Sequence, residues 1–339
     1  MKKQKVVCFG EIMLKLSPNG DNLFAQSDNY LAEFGGSEAN VAVALASYGL
    51  DVSFVTKLPD NLIAQKAVSV LMSHGVDTSH IVKGGKRIGI YYQEKGIIPY
   101  IGTCIYDRED SAIAMAEPED FDWESILEGA DWFHFSGIAP ALSGNMALIC
   151  EQACQTAQKM GIPVSCDINY RKKLWPMEKA QEVMQQLLKY VALVIVNEDE
   201  AKVVGYDKPV ASFMNYEDYM NFARFMTERF SCSQIASVVR CKTGTLRNVR
   251  GIMWSREDGI NLSGKYSIDN AVELSGAGDA FAAALIYGVM QNYFMAINLN
   301  VAVAACALKH YVKGDFNLTP FETIRTCVRN KLDAGGVER

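Results

Sequence analysis

Short apolar runs recur along the chain, and each is followed by a segment with helical spacing. Residues 5–9, 52–55, 132–135, 163–167, 192–196 and 235–239 read as strands. Residues of about 37–48, 61–74, 145–160, 178–189, 198–204, 216–230, 277–291 and 295–311 read as helices, with Gly49, Gly75 and Gly161 placed to stop three of them. A strand that is apolar at nearly every position needs cover on both faces. Strands of that kind alternating with helices predict an α/β protein with a mostly parallel central sheet between two helical layers. The 339 residues, 49% hydrophobic and 21% charged, suit one large domain spanning residues 1–339.

Two stretches break the alternation, at about residues 12–34 and 86–116. They contain period-2 patches such as Gly89-Ile90-Tyr91-Tyr92-Gln93 and no helical spacing. They are expected to form a small antiparallel sheet projecting from the main body as a lid. Its open strand edges, with apolar Ile97, Ile98 and Ile101, favour pairing of two lids in a homodimer or higher oligomer.

The balance of charge excludes some functions. A net charge of −6 does not suit nonspecific nucleic-acid binding, although a local basic pocket for a small anion fits. The nine cysteines form no C-x-x-C pair, and the four histidines form no H-E-x-x-H. Buried thiols in a reducing cytosol follow, with no zinc set. Glu11 and Lys15 interrupt the first apolar stretch, and no run approaches ~18 uncharged apolar residues. A cytoplasmic protein that does not contact the membrane is expected.

Two glycine turns carry the chemistry. Ser275-Gly276-Ala277-Gly278-Asp279-Ala280-Phe281 opens an apolar helix. Its glycines allow a tight turn and close approach to a ligand, and the free amides at the helix start face an anion. Asp279 in the first turn is a candidate base. Phe34-Gly35-Gly36-Ser37-Glu38-Ala39-Asn40 opens another apolar helix, where Asn40 offers amide hydrogen bonds. Taken alone, either segment also reads as a plain helix start.

Together, Gly35-Gly36 with Asn40 and Gly276-Ala277-Gly278-Asp279 resemble the two signatures of the ribokinase-like (pfkB) carbohydrate kinases. Asn197-Glu198-Asp199-Glu200 is similar to that family's N-x-x-E motif. Within the family the likeness is greatest to 2-keto-3-deoxygluconate kinases. It rests on Gly10-Glu11-Ile12-Met13-Leu14, Ile105-Tyr106-Asp107-Arg108, the segment 136–143, and Asp167-Ile168-Asn169-Tyr170-Arg171.

This resemblance implies a ribokinase-like three-layer fold with a β lid, and ATP-dependent phosphorylation of a keto-deoxy-sugar acid at its C6 hydroxyl. It makes Asp279 the base, and the amides of Gly276, Ala277 and Gly278 the anion hole. Gly35, Gly36, Asn40, Tyr91, Tyr106, Arg108, Arg171 and Asp315 fall to the sugar acid, whose carboxylate suits arginine forks. Asn197, Arg240, Lys242, Thr243 and Gly244 fall to the nucleotide. Asn197 and Glu200 would hold magnesium through water. A monovalent cation is also implied, but Glu273-Leu274 stands where the family usually has Asp-Thr. The rival readings are a kinase for a neutral sugar such as fructose, and a non-catalytic sugar-acid sensor. Arg108 and Arg171 weigh against the first, and Asp279 against the second.

Overall fold

The computed structural model describes residues 3–20, 22–95, 102–210, 212–230, 232–243 and 246–334; for 241–243, 246–247 and 332–334 it describes the backbone only. The chain begins with strand β1 (Lys5–Phe9) and passes to β2 (Met13–Pro18) and β3 (Tyr30–Gly35) of a small sheet. Helix α1 (Ser37–Ser47), β4 (Asp51–Val55), the two-residue β5 (Lys57–Leu58) and α2 (Leu62–Ser73) follow. A two-residue β6 (Val82–Lys83) precedes the remaining strands of the small sheet, β7 (Ile90–Glu94) and β8 (Thr103–Asp107).

The chain then alternates through α3 (Trp123–Ile126), β9 (Trp132–Ser136), α4 (Gly144–Lys159), β10 (Val164–Asp167), α5 (Met177–Leu187), β11 (Leu193–Ile195) and α6 (Tyr216–Arg229). Strands β12 (Gln234–Thr243), β13 (Leu246–Ser255), β14 (Gly259–Leu262) and β15 (Tyr266–Ile268) come next. Helices α7 (Ala277–Met290), α8 (Met295–Lys309) and α9 (Phe321–Ala334) end the fold.

The main sheet runs β14-β13-β12-β11-β10-β9-β1-β4, with β15 also on β13. Every pairing from β4 to β12 is parallel. Side chains of a strand alternate between faces, and the two cores follow that rule. Val6 and Cys8 of β1 pack with α1, α2, α7, α8 and α9, while Val7 and Phe9 pack with α3 to α6. Caps fix where the helices begin. Asn61 accepts from the Ala64 amide at 2.9 Å, and Ser143 from the Met146 amide at 3.2 Å.

Three departures from the sequence expectation bear on the site, besides elements it did not predict, among them α9 and strands β13 to β15. The strand expected at 235–239 extends over Gln234–Thr243 and pairs along its whole length with β13, an antiparallel partner. The helix expected at 198–204 is a single 3-10 turn, Glu198–Glu200, followed by further turns. Glu200 folds back onto the Asn197 amide at 2.8 Å, and adjacent Val203 and Val204 are both buried. The bonds are of i→i+3 type, Glu200 to Asn197 at 3.0 Å and Val203 to Glu200 at 2.8 Å.

The third departure is the lid. The small sheet has the order β3-β2-β7-β8, but β2 and β7 run parallel, so it is mixed rather than antiparallel. Residues 112–116 leave it, and Ile113 and Ala116 join the main core. Ile97, Ile98 and Ile101 lie outside the described residues.

Candidate active site

The carboxyl ends of β9, β10, β11 and β12 open under the small sheet, the position where open α/β sheets bind ligands. Helices α1 and α7 aim their N-termini into the same space. The resulting cavity has a volume of about 330 Å³. Its lining includes Gly36, Asn40, Tyr91, Tyr106, Arg108, Arg171, Asn197, Glu200, Arg240, Gly276, Ala277, Gly278, Asp279 and Asp315. Segments far apart in sequence thus meet there. A contiguous groove of about 330 Å³ continues along Tyr170, residues 197–200 and Val238–Arg240.

Asp279 lies in the first turn of α7 and is 9% exposed. Ser37 Oγ donates to its Oδ1 at 2.7 Å and Asn40 Nδ2 to its Oδ2 at 2.6 Å. Asn169 in turn donates to Ser37 at 3.0 Å and adopts a positive φ of 42° to do so. Burial pushes the Asp279 pKa up, while the bonds from Asn40 and Ser37 hold it back. The carboxylate is therefore fixed in direction and more basic than an exposed one.

Beside it, Gly276 turns the chain with φ 77°, and a Cβ there would lie 2.0 Å from the Asp315 carbonyl oxygen. Only glycine fits. The amides of Ala277, Gly278 and Asp279 are first-turn groups without intrahelical acceptors. Gly36 is required for a different reason: a Cβ would lie 1.9 Å from the Glu11 carbonyl oxygen, so the backbones of the β1–β2 connection and of the turn into α1 touch.

Besides Asn40, three groups that the sequence offers to the sugar acid, Asp315, Tyr91 and Arg108, already have partners. Asp315 accepts from Lys15 Nζ at 2.7 Å and from Tyr91 OH at 2.5 Å. Lys15 and Tyr91 are register neighbours on β2 and β7. Arg108 pairs with Glu11, with Nε 2.8 Å from Oε2, and its guanidinium lies 5.3 Å from the Tyr106 ring centroid. Arg171 differs. It is exposed, forms no ion pair among the described residues, and donates only to the Tyr170 carbonyl at 3.4 Å. Gly35, which the sequence offers to the sugar acid, does not line the cavity; it packs under Asp315, whose Oδ2 lies 2.6 Å from where its Cβ would stand.

At the groove, Glu200 accepts from the Tyr170 amide at 2.9 Å as well as from Asn197. Asn197 Oδ1 is buried with no hydrogen-bond partner among the described residues. Asp167, at the end of β10, is buried nearby. Burial raises its pKa well above the usual carboxylate range, and Glu200 and Asp279 raise it further. No group of three or more His, Cys, Asp or Glu close enough to hold a metal exists among the described residues. An orphan oxygen beside mutually repelling carboxylates fits a hydrated divalent cation held through water and ligand phosphates. Arg240 lines both spaces. Gly244 lies outside the described residues, as do the side chains of Lys242 and Thr243.

The sequence reading missed Ser37, Asn169, Asp167, Lys15 and Glu11. Ser37, Asn169, Asp167 and Glu11 stand inside the very segments that carry the family resemblance, so their positions were in view. Lys15 gave no local signal.

Known proteins match this architecture. The family profile described as pfkB family carbohydrate kinase matches residues 3–211. The chain is 42% identical to the solved structure of 2-dehydro-3-deoxygluconokinase from Thermotoga maritima, covering 97% of this chain and 99% of that one with a TM-score of 0.92. It is 29% identical to 2-dehydro-3-deoxygalactonokinase from Haloferax volcanii over 98% of each chain. To 2-dehydro-3-deoxygluconokinase from Thermoproteus tenax it is 26% identical, over 93% of this chain and 91% of that one.

Proposed function

The chain belongs to the pfkB family of carbohydrate kinases, and from that premise we propose that it transfers the γ-phosphoryl group of ATP to the C6 hydroxyl of 2-keto-3-deoxygluconate. The products are ADP and the 6-phospho sugar acid. One observation carries the reading. The buried Asp279 carboxylate, aimed by Ser37 and Asn40, lies beside the anion-accepting turn, and an exposed Arg171 without an ion-pair partner among the described residues lines the same cavity.

In the step proposed, the C6 oxygen attacks the γ-phosphorus and its proton passes to Asp279. The bond from γ-phosphorus to the β,γ-bridging oxygen breaks, and its electron pair leaves with ADP. First-turn amides of α7 stabilise the negative charge on the transferring group. Asn197 and Glu200 are the residues that would hold magnesium through water, at the mouth of the groove where Arg240 also stands. Magnesium, when bound with ATP, neutralises charge on the phosphates. The lid covers the sugar side and excludes water, which limits hydrolysis of ATP. Arg171 reads the substrate carboxylate, which a neutral sugar lacks. Relatives named for the gluconate- and galactonate-derived acids support this substrate class.

We also place the protein in the cytoplasm as a homo-oligomer joined through its lids. Supporting this, Leu31 and Ile105 stand exposed on the two edge strands, β3 and β8. No helix among the described residues is long and apolar enough to cross a membrane. Light scattering on the purified protein, with Leu31→Lys as control, tests the assembly; a monomeric parent refutes it. The activity is tested by ADP release over a panel of both epimeric acids, fructose and ribose. Preference for a neutral sugar would overturn the substrate assignment.

A further inference from the structure

The family resemblance brings a monovalent cation to the neighbourhood of Glu273-Leu274, and the oxygens of this chain do not fit one. A bare alkali cation needs a set of converging oxygens without other partners. Around this segment the converging oxygens are two backbone carbonyls, of Val312 and Gly314, and two carboxylates, of Glu273 and Asp315. Lysine ammonium groups already occupy all four. Lys309 Nζ donates to the Gly314 oxygen at 2.7 Å and to the Val312 oxygen at 3.1 Å. Lys15 Nζ donates to Asp315 at 2.7 Å and to Glu273 at 3.1 Å. The second Glu273 oxygen accepts from the amides of Leu274 and Ser275.

The geometry links this cluster to the chemistry. Lys309 is sealed from solvent, at 0% exposure, and Lys15 nearly so at 2%. The Lys309 stem runs directly behind the glycine turn, since a Cβ on Gly276 would lie 3.0 Å from its Cε. Its charge therefore sits under the amides that accept the transferring phosphoryl group. The two ammonium groups face the carboxylates of Glu273 and Asp315, and the half-buried Glu33 carboxylate stands 3.9 Å from Lys15 Nζ, so the lysines already supply positive charge to these acids. Burial draws the Lys309 pKa down, and the Glu273 and Asp315 carboxylates counter that pull. For Lys15 the same two carboxylates outweigh burial and raise it.

We infer that Lys309, completed by Lys15, is a built-in cation that stands in place of a monovalent ion behind the anion-accepting turn. The enzyme then needs no potassium. The inference rests on the kinase reading for its meaning, but its structural half can be read without turnover. Carbonyl oxygens of Val312 and Gly314 would be left converging on an empty site if the lysine were truncated, and a small cation could fill it.

The experiment uses the full chain in KCl, NH4Cl or choline chloride at equal ionic strength. ADP release and thermal unfolding are both measured. For the parent, neither rate nor melting temperature should differ among the three salts. Lys309→Met should lose roughly tenfold or more of its rate in choline chloride, as removal of a preorganised charge does. That variant should regain rate in KCl or NH4Cl, with a saturable rise in melting temperature as the ion binds the folded state. Saturable potassium activation or stabilisation of the parent overturns the inference. Full activity of Lys309→Met in choline chloride also overturns it, as does a folded but inactive variant that no cation restores. If the variant does not fold, the parent series decides alone. A parent with no sugar-kinase activity defeats the functional reading, while its melting series still decides the cation question.

Discussion

Glu11 and Arg108 form an ion pair sealed beneath the lid. Arg108 Nε lies 2.8 Å from Glu11 Oε2, and Ser111 Oγ occupies Oε1 at 2.8 Å. The charge of Arg108 is thus matched before a ligand arrives. Arg171 has no such partner among the described residues. The two arginines look alike in sequence but differ in what they have left to offer a carboxylate.

Arg171→Met should therefore weaken the keto-deoxy-sugar acid selectively. Loss of one charge-assisted hydrogen bond is worth ~1.5–3 kcal/mol, or roughly 10- to 150-fold in apparent affinity. An analogue with the carboxylate reduced to an alcohol should lose little. Steady-state titration of both compounds on parent and variant checks this, and equal losses would return Arg171 to a merely supporting role.

Glu11→Ala should act on stability instead. Removing one partner of a buried pair leaves an uncompensated charge, at a cost of ~3–5 kcal/mol. Chemical denaturation should show a lower midpoint. A midpoint equal to that of the parent would mean that Arg108 finds solvent or another anion.

Asp279→Asn should keep its fold, because asparagine retains an acceptor oxygen for one of the two donors that hold it. Turnover should fall by ~10²–10⁴, the usual cost of losing a general base. Retention of turnover within a few-fold of the parent would remove Asp279 from the proton path.

Glu200→Gln should raise the magnesium concentration needed for half-maximal rate and leave sugar affinity unchanged. The carboxylate accepts from the Tyr170 and Asn197 amides, and glutamine keeps one acceptor for them. An unaltered magnesium titration would make Glu200 a structural cap only.

Glu38 gives a pH signature. It is 1% exposed, and its carboxyl accepts from the Ser136 hydroxyl at 2.6 Å and amide at 3.1 Å. Burial pushes its pKa from 4.5 up to about 7, against the pull of Ser136. The folded state then holds the proton more tightly than the unfolded state. This contribution is complete below the ordinary carboxyl range and is lost as pH rises through about 7. The loss is on the order of 3 kcal/mol at ~1.4 kcal/mol per unit. Denaturant midpoints of Glu38→Gln should decline less than those of the parent between mildly acidic and mildly alkaline buffer. Parallel declines would assign the effect elsewhere.

The sequence was most informative where structure is local. Continuous apolar runs such as Val6–Phe9 announced the parallel sheet, because such strands can be covered only on both sides. The two glycine turns announced the helix starts, because both the turn and the close approach of a neighbour depend on a missing Cβ. Long-range relations stayed hidden. Lys15 looks like a charge interrupting an apolar strand, yet it reaches carboxylates 258 and 300 positions away. Strand β13 escaped notice because Arg247, Asn248 and Arg250 interrupt it, and its pairing with β12 supplies what its own pattern lacks. The turn at Glu198–Glu200 reads as a helix start because Asn197 and Glu200 have the spacing of a helix cap, with Glu200 folded back onto the Asn197 amide.

The bond between Lys15 and Asp315 sets an order of assembly. A chain leaving the ribosome presents β2 early and Asp315 only after 300 further residues. Until then a folded lid would bury Lys15 without Asp315, and without Glu273 for most of that interval. Its remaining carboxylate is then Glu33 on β3, at 3.9 Å, which compensates a buried ammonium poorly. Parallel strands β1, β4, β9, β10 and β11 can associate as they emerge, since domains fold largely in the order of synthesis. The small sheet must wait. Truncation just before Asp315 should leave a nascent protein with its main layers formed and its N-terminal hairpin still open to proteases.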